Sequence, residues 1–172
     1  MDGPDRRNRI KEILENADEP VKGSILAAKF GVSRQIIVQD IALLRATGQD
    51  ILATPQGYML VAALTGTKII KTFAVKHRFE GLEKELNIIV DNGGKVLDVV
   101  VEHPIYGELR GMLMLSSRRD VQDFIQNLQE SNAHPLSVLT EGVHLHTVEA
   151  PLPQVMEKIE QDLDAAGILL NK

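Results

Sequence analysis

Two histidines stand two residues apart in Leu139-Thr140-Glu141-Gly142-Val143-His144-Leu145-His146-Thr147-Val148, a run rich in β-branched and apolar residues. Side chains two apart on a strand share a face. His144 and His146 are therefore expected side by side, with Val143, Leu145 and Thr147 on the opposite face. Two imidazoles on one rigid strand are a starting point for a metal site. A bare His-x-His is also compatible with two histidines lining a half-exposed strand and holding nothing.

Further ligands must come from elsewhere in the chain, and with no cysteine a thiolate site is excluded. His77 ends a predicted strand over residues 68–76 and is a candidate third ligand. The spacing predicts a helix from Phe79 to about Val90, with Phe79, Leu82, Leu86 and Ile89 on one face. Glu85 falls on the edge of that apolar stripe, whereas Glu80 and Glu83 point away. A carboxylate on a buried face is costly unless it is paired or bound to a metal. From the pattern alone, a salt bridge to Lys or Arg is the commoner arrangement. His103, before Pro104 in a turn, is structural or ligand-facing. His134 sits in a polar Ser-Asn-Ala-His-Pro loop and reads as solvated.

The chain has 172 residues, of which 44% are apolar, enough for one or two domains with a real core. No apolar run approaches the length of a membrane span and no secretory leader pattern is present. A soluble cytoplasmic protein with no membrane partner is expected. The net charge of −5 argues against broad nucleic-acid coating, but leaves room for one local DNA-binding face.

The N-terminal third supplies such a face. Ile10, Ile13 and Leu14 recur at helical spacing between Arg6 and Asn16. After Pro20, a short helix over 23–30 packs through Leu26, Ala27 and Phe30 and stops at Gly31. Ser33 is a good N-cap for a third helix reaching about Thr47. On it Ile37, Ile41 and Leu44 form one stripe. Gln35 and Gln39 lie opposite, Arg34 is in the first turn and Val38 on the flank. Residues 49–60 read as a hairpin wing with Pro-Gln-Gly at its tip. This is the pattern of a winged helix-turn-helix. Arg and Gln suit guanine and adenine edges in the major groove, so Ser33, Arg34, Gln35, Val38 and Gln39 are the candidate DNA-binding residues. Through residue 64 the chain carries 8 basic and 8 acidic residues. A neutral module offers few phosphate contacts, so a homodimer reading a two-fold operator is expected.

Residues 62–66 look like the join, which gives a DNA-binding domain over 1–64 and a second domain over 65–172. Beyond His77 and the Glu85 helix come a turn at Asp91-Asn92-Gly93-Gly94 and a strand over 96–101. His103-Pro104-Ile105-Tyr106-Gly107 breaks that strand, and another follows over 109–115. A capping box at Ser117-Arg118-Arg119-Asp120 opens a helix with Val121, Phe124, Ile125 and Leu128 inward. Residues 135–140 and 143–150 read as two more strands. Pro153 starts a last helix with Val155, Ile159 and Leu163 inward. The fold class is α/β or α+β in two domains: a winged helix-turn-helix, then a mixed or antiparallel sheet packed with helices.

Leu26-Ala27-Ala28-Lys29-Phe30-Gly31-Val32-Ser33-Arg34-Gln35 and Gln39-Asp40-Ile41-Ala42-Leu43-Leu44-Arg45 resemble the winged helices of biotin-repressor-type regulators. His77, Glu85, Val90-Asp91-Asn92-Gly93-Gly94, Val101-Glu102-His103-Pro104-Ile105-Tyr106-Gly107 and the stretch from Pro135 to His146 resemble the three-histidine (3H) domain. The whole chain, over roughly residues 6–165, is similar to the niacin-responsive repressors of the NiaR type. That resemblance implies a divalent metal held by three histidines and a glutamate, which fall here on His77, Glu85, His144 and His146, with no departure at these four positions. It also implies nicotinic acid as co-repressor, and control of NAD synthesis or niacin uptake. His103 and Tyr106 are further candidate ligand-binding residues.

Three His and one carboxylate suit Zn, Ni, Fe or Mn alike. A ligand carboxylate can complete an open coordination position, drawn partly by the metal charge. Other functions remain open. A metal-dependent hydrolase would use the same ligands to activate water, but no separate general base or nucleophile motif stands beside them. A ligase fused to a DNA-binding module would need a Gly-rich nucleotide loop, which is missing. A regulator that responds to metal itself is the third alternative.

Overall fold

The computed structural model describes residues 2–61 and 68–170. The expected join at 62–66 lies outside the described residues. The chain divides into two compact units, residues 1–66 and 67–172. No helix among the described residues is long and apolar enough to cross a membrane.

The first unit has three helices, α1 (Gly3–Glu15), α2 (Gly23–Phe30) and α3 (Arg34–Ala46). An antiparallel hairpin of β1 (Ile51–Thr54) and β2 (Gly57–Leu60) follows. Helix α1 begins three residues before the expected Arg6. Asp2 caps it by accepting from the Asp5 amide at 2.9 Å, and a proline sits in its first turn. Ile10, Leu14, Leu26, Ile37, Ile41, Leu44 and Ile51 form the core. Ser33 caps α3, its hydroxyl accepting from the Ile36 amide at 3.3 Å.

Two features of this unit depend on tertiary contacts. Val21, between α1 and α2, exchanges backbone hydrogen bonds with Tyr58 at 2.8 and 2.9 Å and so adds a rung to the wing. Asp40 is buried on the inner face of α3, where the Arg6 guanidinium donates to it from Nε at 2.6 Å and Arg7 lies at 3.5 Å. These ion pairs tie α1 to the back of α3.

The second unit is one four-stranded antiparallel sheet in the order β3-β6-β4-β5. Its strands are β3 (Ile69–Lys76), β4 (Lys95–His103), β5 (Gly107–Leu115) and β6 (Val143–Ala150). Three helices, α4 (Leu82–Asp91), α5 (Arg118–Glu130) and α6 (Pro153–Ala165), share one core with the sheet. Leu86, Ile89, Val121, Ile159 and Leu163 of the helices meet Val75, Val96, Leu115 and Val148 of the strands there. Core residues alternate along β3, β5 and β6, whereas the bulge after Val96 interrupts the alternation in β4; Leu97, Val100 and Met114 are buried outside this core. The segment after α6 pairs with the outer edge of β3 through Leu169 and Val75.

Three expectations for this unit change. Residues 136–140 form a 3-10 turn and not a strand. Both neighbours of β6 are already taken by β3 and β4, so no edge is free for another strand there. Pro135 and the left-handed Glu141 (φ 53°) bound the turn instead. Phe79 is 46% exposed, because Phe79–Gly81 is a 3-10 turn that rotates it off the buried face of α4. In α6, Met156 takes the buried position expected for Val155, which packs at the core margin.

Candidate metal centre and DNA-binding surface

The alternation of β6 puts His144 and His146 on the buried face, while Val143 and Leu145 are each 38% exposed on the other. Glu85, one turn into α4, projects into the same space and is fully buried. Its neighbours are three histidines, not the Lys or Arg suggested by the sequence pattern. Glu85 Oε2 lies 2.5 Å from His77 Nε2, 3.3 Å from His144 Nε2 and 3.4 Å from His146 Nε2. Ligand atoms of His77, Glu85 and His144 all fall within 4.8 Å of one another, the spacing of a metal-binding group.

Each imidazole is oriented by its other nitrogen. Nδ1 of His77 faces the Arg78 carbonyl at 2.7 Å, that of His144 the Gly142 carbonyl at 2.9 Å, and that of His146 the Asp98 carbonyl at 2.6 Å. A carbonyl oxygen only accepts, so each Nδ1 carries the proton and donates. In the neutral ring every Nε2 then presents a lone pair to the Glu85 carboxylate. Glu85 Oε1 and His146 Nε2 are buried without hydrogen-bond partners; His146 approaches the Glu85 carboxylate but lies outside the group formed by His77, Glu85 and His144. Such a point suits a positive charge, supplied either by a metal ion or by a proton on a ring nitrogen. The backbone-anchored imidazoles and a buried carboxylate fit a divalent transition metal, and the carbonyls supply the outer anchoring typical of metal-bound histidines.

The loops that make this possible are specific. Gly142 has φ +93°, and a Cβ there would lie 2.3 Å from the His77 carbonyl oxygen. A Cβ on Gly81 would meet the His77 side chain at 2.9 Å. Two glycines thus leave room for His77 between the turn before α4 and the turn before β6. On the other side, β4 shifts register between Val96 and Asp98. This bulge aims the Asp98 carbonyl at His146. The buried Asp98 side chain accepts from the Thr147 amide at 3.0 Å and pairs with Arg110. Gly81, Gly142 and Asp98 are positioning residues: Gly142 lies within the Pro135–His146 motif, but the close approach at Gly81, the positive φ of Gly142 and the bulge before Asp98 are not visible in the sequence.

Protonation follows from the same contacts. Burial opposes the charge on Glu85, but the attraction of His146 and the hydrogen bonds with His144 and His77 outweigh it and hold the carboxyl well below its ordinary range. Burial likewise disfavours charge on His77 and His146, yet contact with Glu85 raises both above the usual 6.5. Without metal, a proton takes the cation's place. The raised histidine values stabilise the metal-free unit fully below pH 6.5, and that contribution is lost as pH rises through the folded values. The depressed Glu85 value acts oppositely: its contribution is present above the ordinary carboxyl range and is lost as pH falls through the folded value. Metal affinity is therefore expected to fall with pH beginning above 6.5, as protons compete for Nε2. The extra thermal stability given by added metal should grow between pH 6 and 8. Calorimetric melting with and without metal across that range checks this; a pH-independent increment contradicts it.

His103 and Tyr106 are placed in the β4–β5 hairpin. His103 Nδ1 accepts from the Ile105 and Tyr106 amides, each at 3.2 Å, and its ring packs 5.0 Å from that of Tyr106, which is 74% exposed. Both residues are engaged in shaping this turn. His134 is exposed.

In the first unit, Ser33, Arg34, Gln35, Val38 and Gln39 are all exposed on α3, opposite Ile37, Ile41 and Leu44. Their polar groups occupy the N-terminal half of the helix, the part that enters a major groove in helix-turn-helix proteins.

A family model described as an HTH domain matches residues 6–59, and one described as the 3H domain matches residues 70–172. The chain is 45% identical over 168 residues to the probable transcription repressor NiaR of Thermotoga maritima, covering 98% of this chain and 95% of that protein. It is 42% identical over 170 residues to the transcription repressor NadR of Bacillus subtilis, covering 98% and 94% respectively.

Proposed function

The chain belongs to the 3H-domain family of DNA-binding transcription repressors, and on that premise we propose that its second unit senses nicotinic acid through one divalent metal ion. It is a regulator and not an enzyme. The observation that carries the sensing reading is the convergence of three Nε2 lone pairs and the Glu85 carboxylate on one buried point. His77, Glu85, His144 and His146 hold the ion, which is Zn, Ni, Fe or Mn. A metal held by four protein groups supplies a Lewis-acidic position for the carboxylate of nicotinate. The protein acts as a homodimer on a two-fold operator and controls genes of NAD synthesis or niacin uptake.

A DNA-shift assay on genomic fragments tests this, run with chelator-treated protein, with metal alone, and with metal plus nicotinate. Tight binding is expected only in the third arm. Equal binding with metal alone would make the metal itself the signal. Arg34, Gln35 and Gln39 contact base edges, so alanine at any one is expected to cost about 1–3 kcal/mol of specific binding. If all three single variants keep full operator affinity, α3 is not the reading helix.

A further inference from the structure

We propose that Arg6 and Asp40 are positioning residues for operator recognition: their buried ion pair fixes the rotation of α3 about its own axis, and with it the angle at which Gln35 and Gln39 meet the bases. This rests on α3 as the reading helix and adds what holds that helix in place. Asp40 directly follows Gln39 but lies on the inner face of α3, where it is 3% exposed. The Arg6 guanidinium holds its carboxylate as a fork, Nε donating to Oδ2 at 2.6 Å and Nη2 to Oδ1 at 3.3 Å. Arg7 Nη1 stands 3.5 Å from Oδ1 and adds charge on the same side. The Arg6 side chain is 13% exposed, so water competes little for the pair. The holding end is itself anchored. The Arg6 amide donates to the Asp2 carbonyl at 3.2 Å, and Ile10 and Leu14 bury α1 in the core.

The other contacts of α3 constrain its rotation less. Ile37, Ile41 and Leu44 meet the core through apolar contact, which is non-directional. Ser33 caps the first turn and fixes where the helix starts. A bidentate guanidinium–carboxylate pair sets both a distance and an angle. Stability alone would be served by an apolar residue at position 40, beside Ile37, Ile41 and Leu44, because a buried ion pair is often no more stabilising than well-packed apolar groups of similar volume. A carboxylate there exchanges apolar packing for a directional contact. The dimensions of a helix set the sensitivity. On a cylinder about 10–12 Å across, a rotation of about 20° moves side-chain tips by about 2 Å. Hydrogen bonds to base edges tolerate far less. Lysine at position 6 would keep the charge but hold the carboxylate at a single point, which leaves the rotation loose.

The affinities of full-length protein for operator and for nonspecific DNA test this, measured at one salt concentration and well below each variant's melting temperature. The operator is the fragment that wild type binds tightly in the shift assay. Arg6→Lys should keep the fold and the nonspecific affinity, but lower the ratio of operator to nonspecific affinity at least about tenfold, the discrimination of one bidentate base contact. Asp40→Asn should lower the ratio likewise. A pair that served stability alone would lower the melting temperature and leave the ratio unchanged in the folded protein. An unchanged ratio in folded Arg6→Lys therefore overturns the assignment, as does an equal loss of both affinities. If Asp40→Asn fails to fold, Arg6→Lys decides alone. The alanine variants at Arg34, Gln35 and Gln39 separate the two possible failures. If they lose operator affinity and Arg6→Lys does not, only the positioning role falls; if all three keep it, α3 is not the reading helix and both readings fall.

Discussion

Glu85→Gln is expected to lower metal affinity by about two orders of magnitude while the second unit stays folded. The free energy of a four-ligand structural site, about 10–16 kcal/mol, corresponds to roughly 3 kcal/mol for one ligand. Gln keeps the volume of Glu in a fully buried position, so no cavity opens. What changes is the charge. The three imidazole lone pairs then face a neutral amide whose NH2 can donate to one of them, and the electrostatic demand for a cation is relieved. The metal-free variant should accordingly lose the rise in stability toward low pH that Glu85 gives to protonated His77 and His146. Competition titration against a chelator reads the affinity; a value within a factor of three of wild type contradicts the ligand assignment.

Replacing both His144 and His146 with Ala is expected to remove metal binding altogether and with it the response to nicotinate. Two of the four ligands lie on β6, 2 residues apart, and the remaining pair, His77 and Glu85, comes from a strand end and a helix. Two ligands do not close a site. Both imidazoles are almost fully buried, so the variant also leaves space beside Glu85, and the second unit should melt at a lower temperature. The winged helix has its own core around Ile10, Leu26 and Ile37, and should keep its fold and its weak, salt-sensitive affinity for nonspecific DNA. A nicotinate-dependent gel shift that survives in this variant contradicts the proposed sensor.

The link from sensor to operator needs no contact between nicotinate and DNA. A ligand shifts an equilibrium only by its difference in affinity for the two states. If nicotinate binds the arrangement competent for DNA more tightly, operator DNA must raise nicotinate affinity by the same factor.

Much of this was legible in the sequence, for identifiable reasons. Alternation over 143–150 placed the two histidines on one face because that strand is buried on one side only. The stripe of α3 was readable because Ile37, Ile41 and Leu44 all reach one core. Glu85 stood out as a carboxylate on an apolar face, but its partners did not, since histidines at 77, 144 and 146 meet it only through tertiary packing. Residues 135–140 read as a strand because Leu136, Val138 and Leu139 have strand-like composition, whereas the filled edges of β6 decide for a 3-10 turn over 136–140. Asp40 sits between Ile37 and Leu44 at core spacing, and its pairing with Arg6 depends on a helix more than thirty residues away. The clearances at Gly81 and Gly142 and the bulge before Asp98 are backbone facts with no side-chain pattern, yet they fix where His77 and His146 stand.

The proposed sensor requires that the buried His–Glu cluster bind a metal and that the metal bind the effector. Isothermal titration of nicotinate into metal-loaded protein and into chelator-stripped protein tests it most directly. Saturable binding to the loaded protein is expected, with a loss of at least about tenfold in affinity on stripping, as when a charge-assisted contact worth about 1.5–3 kcal/mol is removed. Equal affinity in the two samples would contradict it.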